Sequence, residues 1–233
     1  MRVVFLIPAY NSEATLGDVL SKLVSEHPQQ DILVIDDGSS DNTAAIAKKF
    51  GVQVISHGEN RGKGAALRTG FQRVLEMGAD AVMTLDADGQ HDPMWTQKFI
   101  EAMLDKNDRD VIVGTRMHDL RSMPFHRRLS NRITSKMVSI RCGQKIEDSQ
   151  CGYRLIRTDV LKHIQLTTRH FDTESEFLLK ACLIGFKIGF IPISTIYNDK
   201  GSSIRHISDT FRFAQLYLRS LFWKTRPNEI GDY

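Results

Sequence analysis

Short runs of uninterrupted apolar residues, separated by longer amphipathic stretches, constrain this chain more than any other feature. Val3-Val-Phe-Leu-Ile-Pro8, Asp31-Ile-Leu-Val-Ile-Asp36, Gln53-Val-Ile-Ser56, Ala81-Val-Met-Thr-Leu85 and Asp110-Val-Ile-Val-Gly114 read as strands. Runs that are apolar at nearly every position, not at every second one, belong to strands buried on both faces, as in a parallel sheet covered by helices. Leu16, Val19, Leu20, Leu23 and Val24 fall at helical spacing behind Ser12, the expected N-cap. Residues 43–50, 65–77, 93–104, 174–185 and 207–223 give further helices, and Lys187 to Ile193 a last strand. The expected fold is α/β, a mostly parallel sheet flanked by helices on both faces, with a C-terminal amphipathic helical appendage. The expected division is a main domain over 1–200, then a loop and the appendage over 201–233.

In a parallel sheet the carboxyl ends of the strands lie along one edge, where open α/β folds form their ligand crevice. Three strand ends here deliver polar clusters: Tyr10 to Glu13, Asp36 to Asp41, and Asp86 to Gln90. Asp86 and Asp88 stand at i and i+2, with the amide of Gln90 close by. These are hard oxygen ligands suited to Mg²⁺ or Mn²⁺, which in turn can hold a diphosphate. Asn60-Arg-Gly-Lys-Gly64 could add backbone N–H groups and the Lys63 ammonium near phosphates. GxxxxGK[ST] is absent, and GxGxxG is absent after the first strand, which counts against a P-loop enzyme and a dinucleotide-binding dehydrogenase.

The net charge of +3 conceals a segregation. Arg116 to Lys145 holds eight Lys/Arg against the single acid Asp119, and Lys200 to Arg226 holds six against Asp209. The remainder is acidic, so an anionic partner is expected at one side. Pro124 to Arg141 reads as a basic amphipathic helix carrying Phe125, Leu129, Ile133, Met137 and Ile140. Either it lies at a membrane interface, with cations near a lipid phosphate, or it packs on the body. The same two readings hold for Ile207 to Trp223. No apolar run approaches the ~18 residues of a membrane span, and the N-terminal apolar run is too short for a secretory signal. Cys142, Cys151 and Cys182 show no paired spacing, so reduced thiols are expected, with neither zinc nor a cysteine nucleophile.

The series Ile7-Pro-Ala-Tyr-Asn11, Val34-Ile-Asp-Asp-Gly-Ser-Ser-Asp41, Asn60-Arg-Gly-Lys-Gly64 and Leu85-Asp-Ala-Asp-Gly-Gln-His91 resembles glycosyltransferase family 2, with its GT-A fold. Asp86-Ala-Asp-Gly-Gln90, Gly114-Thr-Arg116, Ser130-Asn-Arg132 and Asp148-Ser-Gln-Cys-Gly-Tyr-Arg154 narrow the resemblance to the dolichyl- and polyprenyl-phosphate mannosyl- or glucosyltransferases. The resemblance implies Pro8, Tyr10, Glu13, Asp36 and Asp37 around the base and ribose, with Lys63 and Ala87 also on the nucleotide-sugar side. It implies Asp86, Asp88 and Gln90 as ligands of metal and diphosphate, Arg116 near the phosphates, and Arg205 in a closing loop. Ser130, Arg132 and Arg154 fall on the acceptor side. Asp148 matches a family residue proposed as base or acceptor-side group. The implied substrates are a nucleotide-diphosphate sugar and a polyprenyl or dolichyl phosphate, handled by a metal-dependent hexosyltransferase at the cytoplasmic face of a membrane. Relatives continue into transmembrane helices where this sequence reaches Tyr233, so peripheral attachment or a membrane-protein partner is expected. A family 2 enzyme acting on a sugar hydroxyl is the alternative. Nucleic acid is not the expected partner, because a nucleic-acid-binding module leaves Asp36, Asp37, Asp86 and Asp88 unexplained.

Overall fold

The computed structural model describes residues 1–105, 109–117, 123–170, 172–194 and 206–223. Strand β1 (Val3–Ala9) is followed by α1 (Leu16–Glu26), β2 (Asp31–Asp36), α2 (Thr43–Lys49), β3 (Gln53–Ser56), α3 (Lys63–Glu76) and β4 (Ala81–Thr84). A 3₁₀ turn (Pro93–Trp95), started by Asp92 accepting the Met94 N–H, leads into α4 (Thr96–Asp105) and β5 (Val111–Thr115). Then come α5 (Phe125–Cys142), β6 (Arg154–Arg157), α6 (Thr158–His163), α7 (Thr173–Ile184), β7 (Ile188–Pro192) and α8 (His206–Ser220).

The strands form one sheet in the order β3-β2-β1-β4-β6-β5-β7. β3, β2, β1 and β4 run parallel, with Leu6 opposite Leu33 on one side and Thr84 on the other. β1 is buried at every position, as its continuous apolar run predicts. β1, β2 and β3 follow one another outward through α1 and α2, and α3 carries the chain back past β1 to β4. Right-handed crossovers therefore put α1 and α2 on one face and α3 on the other.

The sequence reading misses β6, which pairs antiparallel with both β4 and β5. Its four residues, Arg-Leu-Ile-Arg, place two apolar residues between arginines, and the segment before it reads as a polar motif loop. Ser12 is not the cap of α1. The helix starts after Thr15; the Ser12 carbonyl accepts the N–H groups of Thr15 and Leu16, and its hydroxyl donates to the Tyr10 carbonyl. All three cysteines are free.

Helix α5 is turned the opposite way from an ordinary packing helix. Its buried side chains include Asn131, Thr134 and Ser135 beside Val138, whereas Phe125, Leu129, Ile133 and Ile140 are exposed. The buried hydroxyls and amide are satisfied locally: Ser135 bonds Asn131 and Ser149, and Thr134 bonds back to the carbonyls of Ser130 and Asn131. Helix α8 packs on α5 and α7, held by the Arg141 guanidinium donating to the carbonyls of Ser220 and Trp223.

Candidate active site

Because β2, β1 and β4 are adjacent and parallel, their carboxyl ends release Asp36, Tyr10 and Asp86 along one edge. Asp36 is buried and accepts the Ser39 N–H, which fixes the turn after β2. Tyr10 is 48% exposed and open to a ligand, and Pro8 is buried beneath it in the strand. Glu13 braces the neighbouring loop by accepting the N–H and side-chain amide of Asn42. Ala87 is buried, its carbonyl accepting the Thr15 hydroxyl at 2.7 Å.

The centre of the site is Asp86. Lys63 Nζ lies 2.5 Å from Asp86 Oδ1 and 2.6 Å from Glu174 Oε1. His91 Nδ1 stands 3.9 Å from Asp86 Oδ2, its ring buried and stacked on Tyr153. Burial opposes charge on Asp86, but Lys63 and then His91 hold it down at about 2. His91 is pushed down to about 4, chiefly by burial, and is neutral near pH 7. Asp88 is pushed up to about 6 by loss of surrounding water and by the Asp86 carboxylate. It also accepts the Gln90 N–H, closing the turn that brings Gln90 beside the pair. Gly152 lies against the pair, and a Cβ there would stand 2.9 Å from Asp86 Oδ2 and 3.1 Å from Lys63 Nζ, so a side chain at 152 would displace both charged groups.

Beside this group lies a second ion pair. Arg116 Nε and Nη2 donate to the two oxygens of Asp148 at 2.8 and 2.9 Å, and Asn131 of α5 donates to Asp148 at 2.9 Å. Asp148 is wholly buried. Burial works against its charge, but the Arg116 guanidinium and these hydrogen bonds hold it below the usual carboxylate range. Arg116 is near enough to Asp86, Asp88 and His91 to bear on their titration, so the two ion pairs form one site.

Three expectations change. Asp37 does not face the crevice: it accepts the N–H groups of Arg61 and Gly62 and pairs with His57 at 2.6 Å, bracing the 57–62 loop. That loop offers few amides to phosphate, because the Gly64 N–H also bonds internally, to the Arg169 carbonyl. Arg154 is poorly placed to meet an acceptor. It is buried, and its guanidinium is taken up by the carbonyls of Ser149, Cys151 and Glu174. Ser130 is half-buried and Arg132 exposed on α5. Arg205 lies outside the described residues. Glu174, His91 and Gly152 gain places in the site that sequence reasoning does not give them. A Glu in the first turn of a helix reads as a charge facing the helix dipole, and nothing local ties it to Lys63.

Over residues 4–165 the sequence matches glycosyl transferase family 2. It is 32% identical to a UDP-N-acetylglucosamine–dolichyl-phosphate N-acetylglucosaminyltransferase of Methanococcus voltae, over 84% of this chain and 86% of that one. It is 29% identical to an undecaprenyl-phosphate mannosyltransferase of Micrococcus luteus, over 87% of each chain. Its structure is similar to glucosyl-3-phosphoglycerate synthase from Mycobacterium tuberculosis, solved with uridine diphosphate. There the TM-score is 0.74 at 16% identity, over 94% of this chain and 79% of that one, which shows the GT-A-like fold. With the family match spanning most of its length, the chain belongs to glycosyl transferase family 2 and is a glycosyltransferase resembling the dolichyl- and polyprenyl-phosphate enzymes.

Proposed function

We propose that the protein transfers a hexose from a nucleotide-diphosphate sugar to a polyprenyl or dolichyl phosphate, with inversion at the anomeric carbon. Helix α5 carries this reading. Its polar inner face reaches the site through Asn131 and Asp148, and its outer face exposes Phe125, Leu129 and Ile133 around Arg132. A lipid phosphate needs both chemistries within one side-chain length.

The residues fit a hard divalent cation. Asp86 and Asp88 offer carboxylates at adjoining positions, an ammonium already contacts Asp86, and Gly152 keeps the space beside it clear. Among the described residues no group of three His, Cys, Asp or Glu is placed to enclose a metal. Asp86, Asp88 and Gln90 would therefore hold Mg²⁺ or Mn²⁺ with water and substrate phosphates completing the shell, as is usual for Mg²⁺. When bound, the cation supplies neutralisation of the charge developing on the leaving diphosphate.

The remaining roles fall to the chain. Pro8, Tyr10 and Asp36 line the base and ribose, with Glu13 and Asp37 bracing the loops behind them. Arg116, oriented by Asp148, presents its guanidinium to the phosphates, where a fork suits oxyanions better than a point charge. Ser130 and Arg132 meet the acceptor phosphate. An acceptor phosphate oxygen attacks the anomeric carbon from the face opposite the diphosphate. A new C–O bond forms as the bond to the diphosphate breaks, and its electron pair leaves on the nucleoside diphosphate. No proton has to be removed, because a phosphate monoester with a second pKa near ~6 is already mostly dianionic. Asp148, fully engaged with Arg116, is thus a positioning residue. Arg205 remains the candidate for closing over the diphosphate. The protein works peripherally at a membrane; no helix among the described residues is long and apolar enough to cross one.

The test is turnover of radiolabelled GDP-mannose, UDP-glucose and UDP-N-acetylglucosamine, with Mn²⁺, against a short polyprenyl phosphate. Label in the lipid phase identifies reaction and donor together. Donor binding with slow hydrolysis and no lipid product would move the acceptor to a sugar hydroxyl.

A further inference from the structure

The ammonium of Lys63 occupies a place that a metal needs. It contacts Asp86 Oδ1, one of the oxygens assigned above to the divalent cation, and is bracketed by two carboxylates, Asp86 and Glu174. Two cations cannot share one carboxylate oxygen at contact distance without strong repulsion in a partly desolvated site. The ammonium has to withdraw when the cation is seated.

Glu174 is placed to receive it. This carboxylate is 5% exposed; Oε1 already holds Lys63 at 2.6 Å, and Oε2 is buried without a hydrogen-bond partner. A buried acceptor left unpaired is costly, so an ammonium drawn off Asp86 gains a second bond that the empty arrangement lacks. Lys63, Asp86, Gly152 and Glu174 are among the residues that line a cavity of about 20 Å³. That volume holds roughly one water.

We propose that Glu174 is a positioning residue that draws Lys63 away from Asp86 and so sets the affinity of the site for divalent metal. The inference rests on the reading of Asp86 and Asp88 as metal ligands. With an amide at position 174, Lys63 would keep Asp86 as its counter-charge and compete with the metal more strongly.

The experiment is Mn²⁺ binding to the full chain without nucleotide, with free Mn²⁺ read from its EPR signal. It compares wild type, Glu174→Gln, Lys63→Met and the double variant. Glu174→Gln is expected to weaken binding about tenfold and Lys63→Met to tighten it about tenfold, each equivalent to ~1.4 kcal/mol. Once Lys63 is gone, Glu174→Gln is expected to change the affinity less than about twofold, because the effect acts through the ammonium. A simple loss of negative charge would weaken binding equally in both backgrounds, and that result overturns the proposal, as does an unchanged Glu174→Gln. Wild type that binds no Mn²⁺, with or without nucleoside diphosphate, overturns the metal reading itself and this inference with it. Should Lys63→Met alone fail to fold with Glu174 left uncompensated, Glu174→Gln and the charge-neutral double variant decide. The double variant must then bind Mn²⁺ about a hundredfold more tightly than Glu174→Gln.

Discussion

The carboxylate of Asp148 accepts from Nε and Nη2 of Arg116, from Asn131 Nδ2, and from the backbone N–H groups of Arg116 and Gln150. With its lone pairs taken and its pKa held down, it is poorly suited to remove a proton near pH 7. Its folded pKa lies below the unfolded value near ~4, so its contribution to stability is full above that value. It is lost as pH falls through the lower folded pKa. Asp148→Asn leaves the Arg116 guanidinium without its bidentate partner and should cost about 3–5 kcal/mol, read as a lower urea midpoint. The acidic limb of the rate–pH profile should not move, and an acidic limb that disappeared in the variant would restore Asp148 as a base. Asp88→Ala should lower Mn²⁺-stimulated turnover by at least ~10², the scale of losing one group that stabilises transition-state charge. Unchanged turnover with unchanged Mn²⁺ dependence would remove Asp88 from the metal. An isolated pair of carboxylates at i and i+2 more often closes an acidic turn, and Asp86 and Asp88 stand out in the sequence only because three polar strand ends converge on one edge of a parallel sheet. Asp37 and Arg154 were not legible, since residue type does not reveal direction. Successive side chains leave a strand on opposite sides, and Asp37 turns to His57 while Arg154 turns to carbonyls.

Helix α7 controls the start of α3 through the segment between Thr167 and Arg169. Glu176 accepts the N–H groups of Thr167 and Thr168 and both hydroxyls, which fixes that segment. Its carbonyls then press on the glycines that open α3: a Cβ on Gly64 would lie 2.3 Å from the Thr168 oxygen, and one on Gly62 2.3 Å from the Arg169 oxygen. Gly62 also has a φ of +89°, a conformation that side chains disfavour. The glycines in Asn60-Arg-Gly-Lys-Gly64 thus serve close backbone approach, and that approach sets where Lys63 points. Gly64→Ala meets backbone, not a flexible side chain, and should destabilise by about 1–3 kcal/mol, the usual scale of overpacking. A thermal melt checks this, and a variant that melts with the wild type would refute the seam. Most elements could be read from periodicity, because β1, β2, β4, β5 and β7 hold apolar runs, β3 falls in the alternation of strand and helix, and most of the helices have an apolar face. β6 lacks that signal. Helix α5 has it in full, yet periodicity cannot say which side is inward when the buried side is Asn131, Thr134 and Ser135.

At the scale of the molecule, two neighbouring helices leave large apolar side chains uncovered. Phe125, Leu129, Ile133 and Ile140 on α5 are 48–72% exposed, and Phe211, Leu218, Leu221 and Phe222 on or just after α8 are 51–86% exposed. Exposed apolar clusters of this size mark interaction surfaces. Arg127, Arg128, Arg132 and Lys136 lie among the residues of α5, and Arg212 and Arg219 on α8. Apolar side chains set among cations suit an anionic bilayer surface, with each buried side chain worth about 1.5–3 kcal/mol and each basic residue near the surface about 1 kcal/mol. The protein should therefore sediment with vesicles containing phosphatidylglycerol, less with neutral vesicles, and less again in high salt, which screens the basic contribution. Phe125→Asp with Ile133→Asp should reduce vesicle binding by at least about tenfold, since a loss of ~1.4 kcal/mol already suffices. The same pair should leave the thermal midpoint almost unchanged, because neither side chain packs in the core. If the wild type ignores anionic vesicles while remaining a monomer, the apolar face belongs to a protein partner. The acceptor would then have to be delivered by that partner rather than drawn directly from the lipid surface.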